Sequence, residues 1–321
     1  MRRHSAVHTA SSTTDFRFFF RFFLAALFAL PLWAGVVSAA TSAAKSSVSA
    51  DSEPASRYSK GLLWKIEAPG VAANYLFGTI HSDDARVTAL PEAVSRSLDA
   101  SSRFVMEAII DADALVRMAE VMFFNDARTL EQVIGKQLYT DTMKALAARG
   151  IPTLGVEKQK PWAVMMALSI PPPKTGEYLD LVLQARATER NKPVSGLETV
   201  AEQLAVFDGL PLPDQVALLQ DTVNTQSDLE QIFGELHQAY LARDLAAIVT
   251  ISEKNKPGDE RLYDKVMDRL LAKRNLRMVE RMAPILKQGG AFIAIGAAHL
   301  PGETGLLYQL EKAGYRVTVI Y

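Results

Sequence analysis

Two short stretches of the chain end in the same pattern, Gly-x-x-His. The first is Tyr75-Leu-Phe-Gly-Thr-Ile-His81, and the second is Phe292-Ile-Ala-Ile-Gly-Ala-Ala-His299. Two imidazoles and a carboxylate can hold a divalent metal ion and leave one position open for water. The ion lowers the pKa of that water and supplies a nucleophile for a carbonyl group. The repeated pattern therefore indicates a metal-assisted hydrolytic site that contains both His81 and His299.

Two glutamates are the candidate carboxylates of this site. Glu107 lies inside the apolar run 103–109, and Glu198 ends the run 192–198. An unpaired buried carboxylate is costly, so Glu107 needs a metal ion or a cation, and an arginine would satisfy it equally well. We predict Glu107 as a metal ligand with His81 and His299, and Glu198 as a further ligand or general base.

Other polar residues could support this chemistry. We predict that Asp84 orients His81 and that Arg274 and Asn275, placed between two helices, bind a substrate carboxylate or oxyanion; all three form the predicted substrate-binding set. The alternatives are structural: a histidine after a strand is often only a hydrogen-bonding residue, and Arg274 could complement a helix end. Asp83 is interpreted as a turn residue, and His237 as a solvated helix residue.

The elements that must position these residues are strands at both ends of the chain and helices between them. Both Gly-x-x-His stretches are apolar runs typical of buried strands, and Pro69-Gly70 indicates a hairpin before the first of them. We predict an α/β fold with a central mixed sheet built from both chain ends and covered by a large helical middle segment. The histidines would then lie at the carboxyl ends of strands, where crevices open in α/β sheets. The predicted strands are 62–67, 74–80, 103–109, 192–198, 291–298 and 315–321.

Composition excludes some classes of function. The 321 residues carry a net charge of −1 without a dominant basic patch, which argues against nucleic acid as a main partner. The absence of cysteine excludes disulfides, thiolate catalysis and cysteine-ligated metal sites. The remaining candidate ligands, imidazole and carboxylate, suit zinc, manganese, cobalt or iron.

The amino terminus is typical of an exported protein. Four arginines in the first 21 residues precede an apolar run from Phe22 to Val37, and small residues follow. We assign residues 1–40 to a signal peptide, 41–58 to a disordered linker, and 59–321 to one domain with a helical insertion at about 110–288. We expect a periplasmic or secreted protein, in contact with a membrane only if the apolar run is retained as an anchor.

The order of these motifs resembles the TraB/GumN family, which is related to the Tiki metalloproteases and to erythromycin-esterase-like and ChaN-like proteins. The resemblance covers about residues 60–321, and one departure from it is Ser82-Asp83, where a small apolar residue and glycine are expected after the first histidine. It implies a sheet-centred α/β fold with His81, Glu107 and His299 in the active site, and less strongly Glu198. For the Tiki branch it also implies a protease that depends on a divalent ion, with manganese or cobalt favoured. The matching pieces are Leu76–His81 with Asp84 and Leu90-Pro91, the Glu107 strand, Pro161-Trp162, Lys192–Thr199, Arg274-Asn275 and Gly296–Gly302.

Three functions follow from this interpretation. The leading one is an exported metal-dependent hydrolase that acts on a peptide or protein. The second is a metal-free hydrolase in which a histidine and a glutamate act as general base. The third is a binding protein for haem, iron or a cell-envelope component, without catalysis.

Overall fold

The computed structural model describes residues 58–254 and 259–321. The predicted signal peptide and all of the predicted linker except Tyr58 lie outside these residues. Tyr58 is buried and packs edge-on against Trp64. Among the described residues, no helix is both long and apolar enough to span a membrane.

A mixed six-stranded sheet forms the centre of the fold, in the order β4-β3-β5-β2-β1-β6. Neighbours among β4, β3, β5 and β2 are parallel, whereas β1 is antiparallel to both β2 and β6. The prediction of a sheet built from both chain ends is confirmed, as is the hairpin between the first two strands. The strands are β1 (Leu63–Glu67), β2 (Asn74–Thr79), β3 (Arg103–Ala108), β4 (Val194–Glu198), β5 (Ala291–Gly296) and β6 (Arg316–Val319).

Helices fill most of the chain between β3 and β5, as the apolar periodicity predicts. The helices of the described residues, of which the first two precede β3 and the last follows β5, are α1 (Ala85–Thr88), α2 (Glu92–Ala100), α3 (Ala112–Met122), α4 (Leu130–Ile134), α5 (Lys136–Ala148), α6 (Pro161–Ser169), α7 (Leu179–Glu189), α8 (Val200–Asp208), α9 (Leu212–Asn224), α10 (Leu229–Leu241), α11 (Leu245–Lys254), α12 (Glu260–Met267), α13 (Lys273–Gln288) and α14 (Leu306–Lys312).

Two local features place predicted site residues. Asp84 caps the short helix α1 by accepting the backbone N–H of Arg86. A π-helical turn, Asp268–Ala272, joins α12 to α13. Arg274 and Asn275 therefore lie in the first turn of α13, and their expected place between two helices is wrong.

The register of the sheet brings the ends of three strands to one edge. β5 is central and all six of its residues are buried. On one side, Thr79 of β2 pairs with Gly296; on the other, Met106 of β3 pairs with Ala294. Since these strands are parallel, the residues that follow them emerge at the same carboxyl edge. His81, Glu107 and His299 thus come from three adjacent strands.

Candidate active site

His299 is fully enclosed and its ring is held by Asn275. The histidine ends a 3₁₀ turn that follows β5 and is 2% exposed. Asn275 donates its amide N–H groups to the carbonyl oxygens of His299 and Thr304, at 3.3 and 2.8 Å. Its Oδ1 therefore faces Nδ1 of His299, at 2.6 Å, as an acceptor. Nδ1 carries the proton, and Nε2 is left with a lone pair.

The surroundings of His299 keep its ring neutral. Burial is the main cause, and the nearby Arg274 guanidinium adds to it; together they hold the pKa of His299 well below its usual value. A neutral imidazole is the form that can bind a metal ion or accept a proton.

Glu107 lies next to the free nitrogen of His299. Its Oε1 is 3.9 Å from Nε2 of His299 and accepts the backbone N–H of Gly296 at 2.7 Å. Its Oε2 accepts hydrogen bonds from Gln203 at 3.1 Å and from Arg274 at 2.7 Å. The carboxylate is thus fixed on one side by its neighbours and presents Oε1 towards His299.

Arg274 connects Glu107 with Glu198. Its guanidinium is 1% exposed and lies 2.7 Å from an oxygen of each glutamate. Burial opposes its charge, but the two carboxylates outweigh this and raise the pKa of Arg274 above its usual value. The arginine alternative considered for Glu107 is therefore present: Arg274 is its cationic partner.

Glu198 is enclosed within the same ion-pair network. Its side chain has no exposed surface, and Arg277 occupies the oxygen that Arg274 leaves, at 2.6 Å. In this arrangement Glu198 is a counter-ion to two arginines and offers no free oxygen to a metal ion or a water. The predicted role of Glu198 as ligand or general base has no support from this placement. The buried Arg274 faces the two glutamates, and the buried Asn275 faces His299 and Thr304.

His81 ends the other Gly-x-x-His stretch and has different neighbours. Its Nδ1 is 3.3 Å from Oδ2 of Asp180, and its ring stacks on Tyr178, with centroids 4.2 Å apart and planes 9° from parallel. Within the part of the chain that the structure describes, Nε2 of His81 is buried and has no hydrogen-bond partner. A buried polar atom in that state is costly, and it requires an explanation.

Asp84 does not take the position next to His81 that the sequence suggests. Its carboxylate binds the side chain of Arg86 at 2.9 and 2.8 Å, so the partner of His81 is Asp180. His237 is also more enclosed than expected: it is half-buried, and burial lowers its pKa although Asp84 opposes the shift.

Asp83 is a structural turn residue, as interpreted from the sequence. Its Oδ2 accepts the backbone N–H groups of Lys174, Thr175 and Gly176, at 2.5, 2.7 and 3.0 Å. Burial alone would raise its pKa, but these three donors lower it below the usual value. The residue thus ties the segment that precedes α7 to the end of β2.

The two glycines of the Gly-x-x-His stretches permit close approaches. A Cβ on Gly296 would lie 3.1 Å from Oε1 of Glu107, so a side chain there would press on the carboxylate. A Cβ on Gly78 would lie 2.7 Å from Leu300 and 3.2 Å from Ala297, which flank His299. Each glycine lets one of the neighbouring site residues pack against its strand.

The structure divides the predicted ligands between two groups of side chains. One contains His299 and Glu107, and the other contains His81 and Asp180. Within residues 58–254 and 259–321, no three histidine, aspartate or glutamate side chains are grouped closely enough to hold one ion. The donor atoms fit a divalent ion in type, because Nε2 of His81 has no hydrogen-bond partner within the described residues and Oε1 of Glu107 is a carboxylate oxygen, but a complete three-donor set is not assembled.

Three further residues of the site, Asp180, Tyr178 and Gln203, are not predicted from the sequence. Asp180 contacts a histidine 99 positions away, and Gln203 contacts a glutamate 96 positions away. Both lie near the start of helices, α7 and α8, where a polar residue is unremarkable. Only the tertiary fold identifies them as part of the site.

Comparisons with known proteins agree with the motif pattern. A model of the TraB/PrgY/gumN family matches residues 62–319. The chain is 23% identical to Metalloprotease TIKI2 of Danio rerio and 24% identical to the Metalloprotease TIKI homolog of Amphimedon queenslandica, with 79% of this chain and 60% of each relative covered. It is 26% identical to Metalloprotease TIKI1 of Homo sapiens, over 57% of this chain and 41% of that protein.

The matches thus span at most about three-fifths of these relatives. No solved structure matches the chain significantly.

Proposed function

The chain belongs to the TraB/PrgY/gumN family, and we propose that it is a metal-dependent hydrolase that cleaves peptide bonds. The relatives that it resembles are named metalloproteases, which supports both the divalent ion and the class of substrate. We propose manganese or cobalt as the ion, with zinc as the alternative.

The state of the two imidazoles carries this proposal. Each histidine has Nδ1 engaged by another side chain, Asn275 for His299 and Asp180 for His81. Among the described residues, Nε2 of His81 is buried without a hydrogen-bond partner, and Nε2 of the buried His299 lies 3.9 Å from Oε1 of Glu107, beyond hydrogen-bond distance. A second side chain that holds one ring nitrogen while the other remains free is the usual arrangement of a metal-binding histidine.

The residues that would hold the ion are His81, His299 and Glu107. When bound, a divalent ion supplies a water of lowered pKa and polarises the scissile carbonyl. Gly296 and Gln203 hold the Glu107 carboxylate in place, and Arg274 balances its charge. Since Gln203 and Arg274 occupy Oε2, Oε1 is the oxygen of Glu107 that would face the ion. The enclosed ion pair of Arg274 and Glu198 helps to hold the Glu107 carboxylate in position.

We further propose that the protein is exported. The arginines and apolar run of the first 40 residues support this, and the mature domain would then act outside the cytoplasm, in the periplasm or the medium.

Metal content tests the proposed function. We expect the purified chain to hold about one divalent ion, and we expect His81→Ala or His299→Ala to remove both the ion and the hydrolysis of a peptide library. His237→Ala is the matched control, since it removes a half-buried histidine of α10 that belongs to neither group. It should retain the ion.

Three results would contradict the proposal in distinct ways. Unchanged metal content in both site variants would exclude His81 and His299 as ligands. Hydrolysis that survives exhaustive chelation would instead support the metal-free mechanism, with His299 as the base beside Glu107. An absorbance band on addition of haem, without turnover of any peptide, would support the binding protein.

A further inference from the structure

We propose that the 171–180 segment (residues 171–180) positions His81, with Asp180 selecting the tautomer of its imidazole and Tyr178 fixing the plane of its ring. The inference rests on the proposed function, because a fixed tautomer matters where Nε2 of His81 must offer its lone pair to a metal ion. Asp180 and Tyr178 would then be positioning residues and would not touch the substrate.

The segment reaches His81 from two directions. The Tyr178 ring lies flat against the imidazole at 4.2 Å, which prevents the ring from tilting. Asp180 approaches the ring edge, with Oδ2 3.3 Å from Nδ1. Tyr178 is the residue before α7 and Asp180 lies in its first turn, so one helix start supplies both contacts.

Asp83 holds the segment in this position. Its carboxylate binds three consecutive backbone N–H groups, those of residues 174–176. The backbone N–H of Leu179 also donates to the carbonyl oxygen of Ser82, at 3.1 Å. The two residues after His81 are therefore tied to both parts of the segment.

Hydrogen-bond chemistry determines the tautomer. An ionised carboxylate can only accept, so a neutral His81 that faces Asp180 must carry its proton on Nδ1. Its Nε2 then has the lone pair. Asn275 imposes the same state on His299 through an amide oxygen. Asp180 and Asn275 thus give the two histidines the same tautomer, although one acceptor is charged and the other is neutral. This indicates that both histidines require an acceptor atom at Nδ1 and not a negative charge.

Nuclear magnetic resonance of the metal-free full chain, labelled with 15N-histidine, tests this directly. The chain has five histidines, and His81→Gln identifies the His81 signals by their loss. We expect the wild type to show an unprotonated Nε2 at His81. Asp180→Ala should shift much of that nitrogen to the protonated form, because neither ring nitrogen is then preferred. Asp180→Asn should keep the wild-type state, since its amide oxygen still accepts.

Glu177→Gln is the control, because it removes an exposed carboxylate from the same segment without touching His81. If Asp180→Ala does not fold, Asp83→Ala provides the second test: it releases residues 174–176 and should give a mixture of tautomers. A protonated Nε2 in the wild type, or an unchanged tautomer in a folded Asp180→Ala or Asp83→Ala variant, would overturn the proposal.

Calorimetric titration with Mn²⁺ separates this inference from the proposed function. We expect Asp180→Ala to weaken Mn²⁺ binding about 10–100-fold and Asp180→Asn to weaken it much less. Failure of the wild type to bind Mn²⁺, Co²⁺ or Zn²⁺ would contradict the proposed function, while the tautomer measured in the metal-free chain would still decide the role of Asp180. Equal weakening by both variants would show that charge matters, and would overturn the acceptor argument.

Discussion

Arg274 is the single residue on which the buried charges of the site depend. Two carboxylates, Glu107 and Glu198, approach it within hydrogen-bond distance, and Arg277 supplies a further cation to Glu198. Removing charges from water is expensive, and their mutual attraction offsets that cost only while each has its partner. The network therefore stabilises the fold only as a complete set.

Replacement of Arg274 should be among the most damaging substitutions in the chain. Arg274→Met keeps much of the side-chain volume but leaves Glu107 and Glu198 buried without their common cation. We expect a loss of about 3–5 kcal/mol in the free energy of unfolding. Urea denaturation of the two proteins, monitored by circular dichroism, measures the difference.

Arg281→Met is the matched control for that measurement. Arg281 lies on the same helix as Arg274 and pairs with Glu202 of α8, but the side chains of Arg281 and Glu202 are 38% and 32% exposed. Exposed ion pairs contribute little, so we expect a loss of no more than about 1 kcal/mol. Similar losses for the two variants would show that burial does not govern the network.

Helix α13 presents a row of arginines to β4 and α8. Arg274, Arg277 and Arg281 recur at helical spacing and pair with Glu198 and Glu202. A π-helical turn leads directly into α13. Arg274 and Asn275 follow it in the first turn of α13, and both are buried. Such turns often occur at functional sites. One helix therefore supplies both the cation of the Glu107 network and the amide that holds His299.

The outer end of this row should make stability depend on pH. The hydrogen bond from Arg281 lowers the pKa of Glu202 from 4.5 to about 2, against the opposing effect of burial and with help from the backbone N–H of Thr199. A carboxylate with a lowered folded-state pKa stabilises the fold above its unfolded-state pKa. That contribution is lost as pH falls from about 4.5 to about 2.

Glu202→Gln tests this dependence. Glutamine can still cap α8 through Thr199, so the variant removes mainly the ion pair. We expect it to be less stable than the wild type by no more than about 1 kcal/mol at pH 7, and the difference to shrink towards pH 2. Denaturant unfolding at several pH values measures it.

The control is Glu92→Gln, whose carboxylate meets Arg96 with both side chains more than 70% exposed. It should differ little from the wild type across the same range. A Glu202→Gln difference that grows as pH falls would contradict the assignment.

At the scale of the whole molecule, the sequence predicts the strands well because each is an apolar run with clear turn residues around it. All six predicted strands are present, within a few residues at their ends. The pairing of β2 with β5 also follows from the repeated motif, since both runs point their histidines to one edge.

The fine arrangement of the site could not be predicted in the same way. Which oxygen reaches which histidine depends on side chains delivered by α7, α8 and α13, far away in the chain. Asp180 and Arg274 reach their partners only when the helices pack on the sheet. Local periodicity therefore predicts elements, whereas long-range hydrogen bonds decide that Glu198 pairs with arginines and that His81 pairs with Asp180.

Gly78 lies where β2 packs against the 297–300 turn, which carries His299. A Cβ there would lie 2.7 Å from Cδ1 of Leu300 and 3.2 Å from Cα and Cβ of Ala297, so the buried Leu300 side chain would have to move and Ala297 would have to shift slightly. Extra atoms in a packed core commonly cost 1–3 kcal/mol. We expect Gly78→Ala to lower the free energy of unfolding by about that amount and to disturb the His299 signals in a 15N-histidine spectrum.

Gly234→Ala provides the matched comparison for Gly78→Ala. Apart from the adjacent residues and the backbone of its own helix, no atom of the described residues lies within 4 Å of a Cβ built on Gly234, which is an exposed position of helix α10. Alanine favours a helix over glycine by about 0.5–1 kcal/mol, so this variant should gain stability and leave the His299 signals unchanged. If Gly78→Ala instead matched the wild type in urea denaturation, the turn would be able to move freely, and the packing of β2 against the 297–300 turn would not be what holds His299 at the sheet edge.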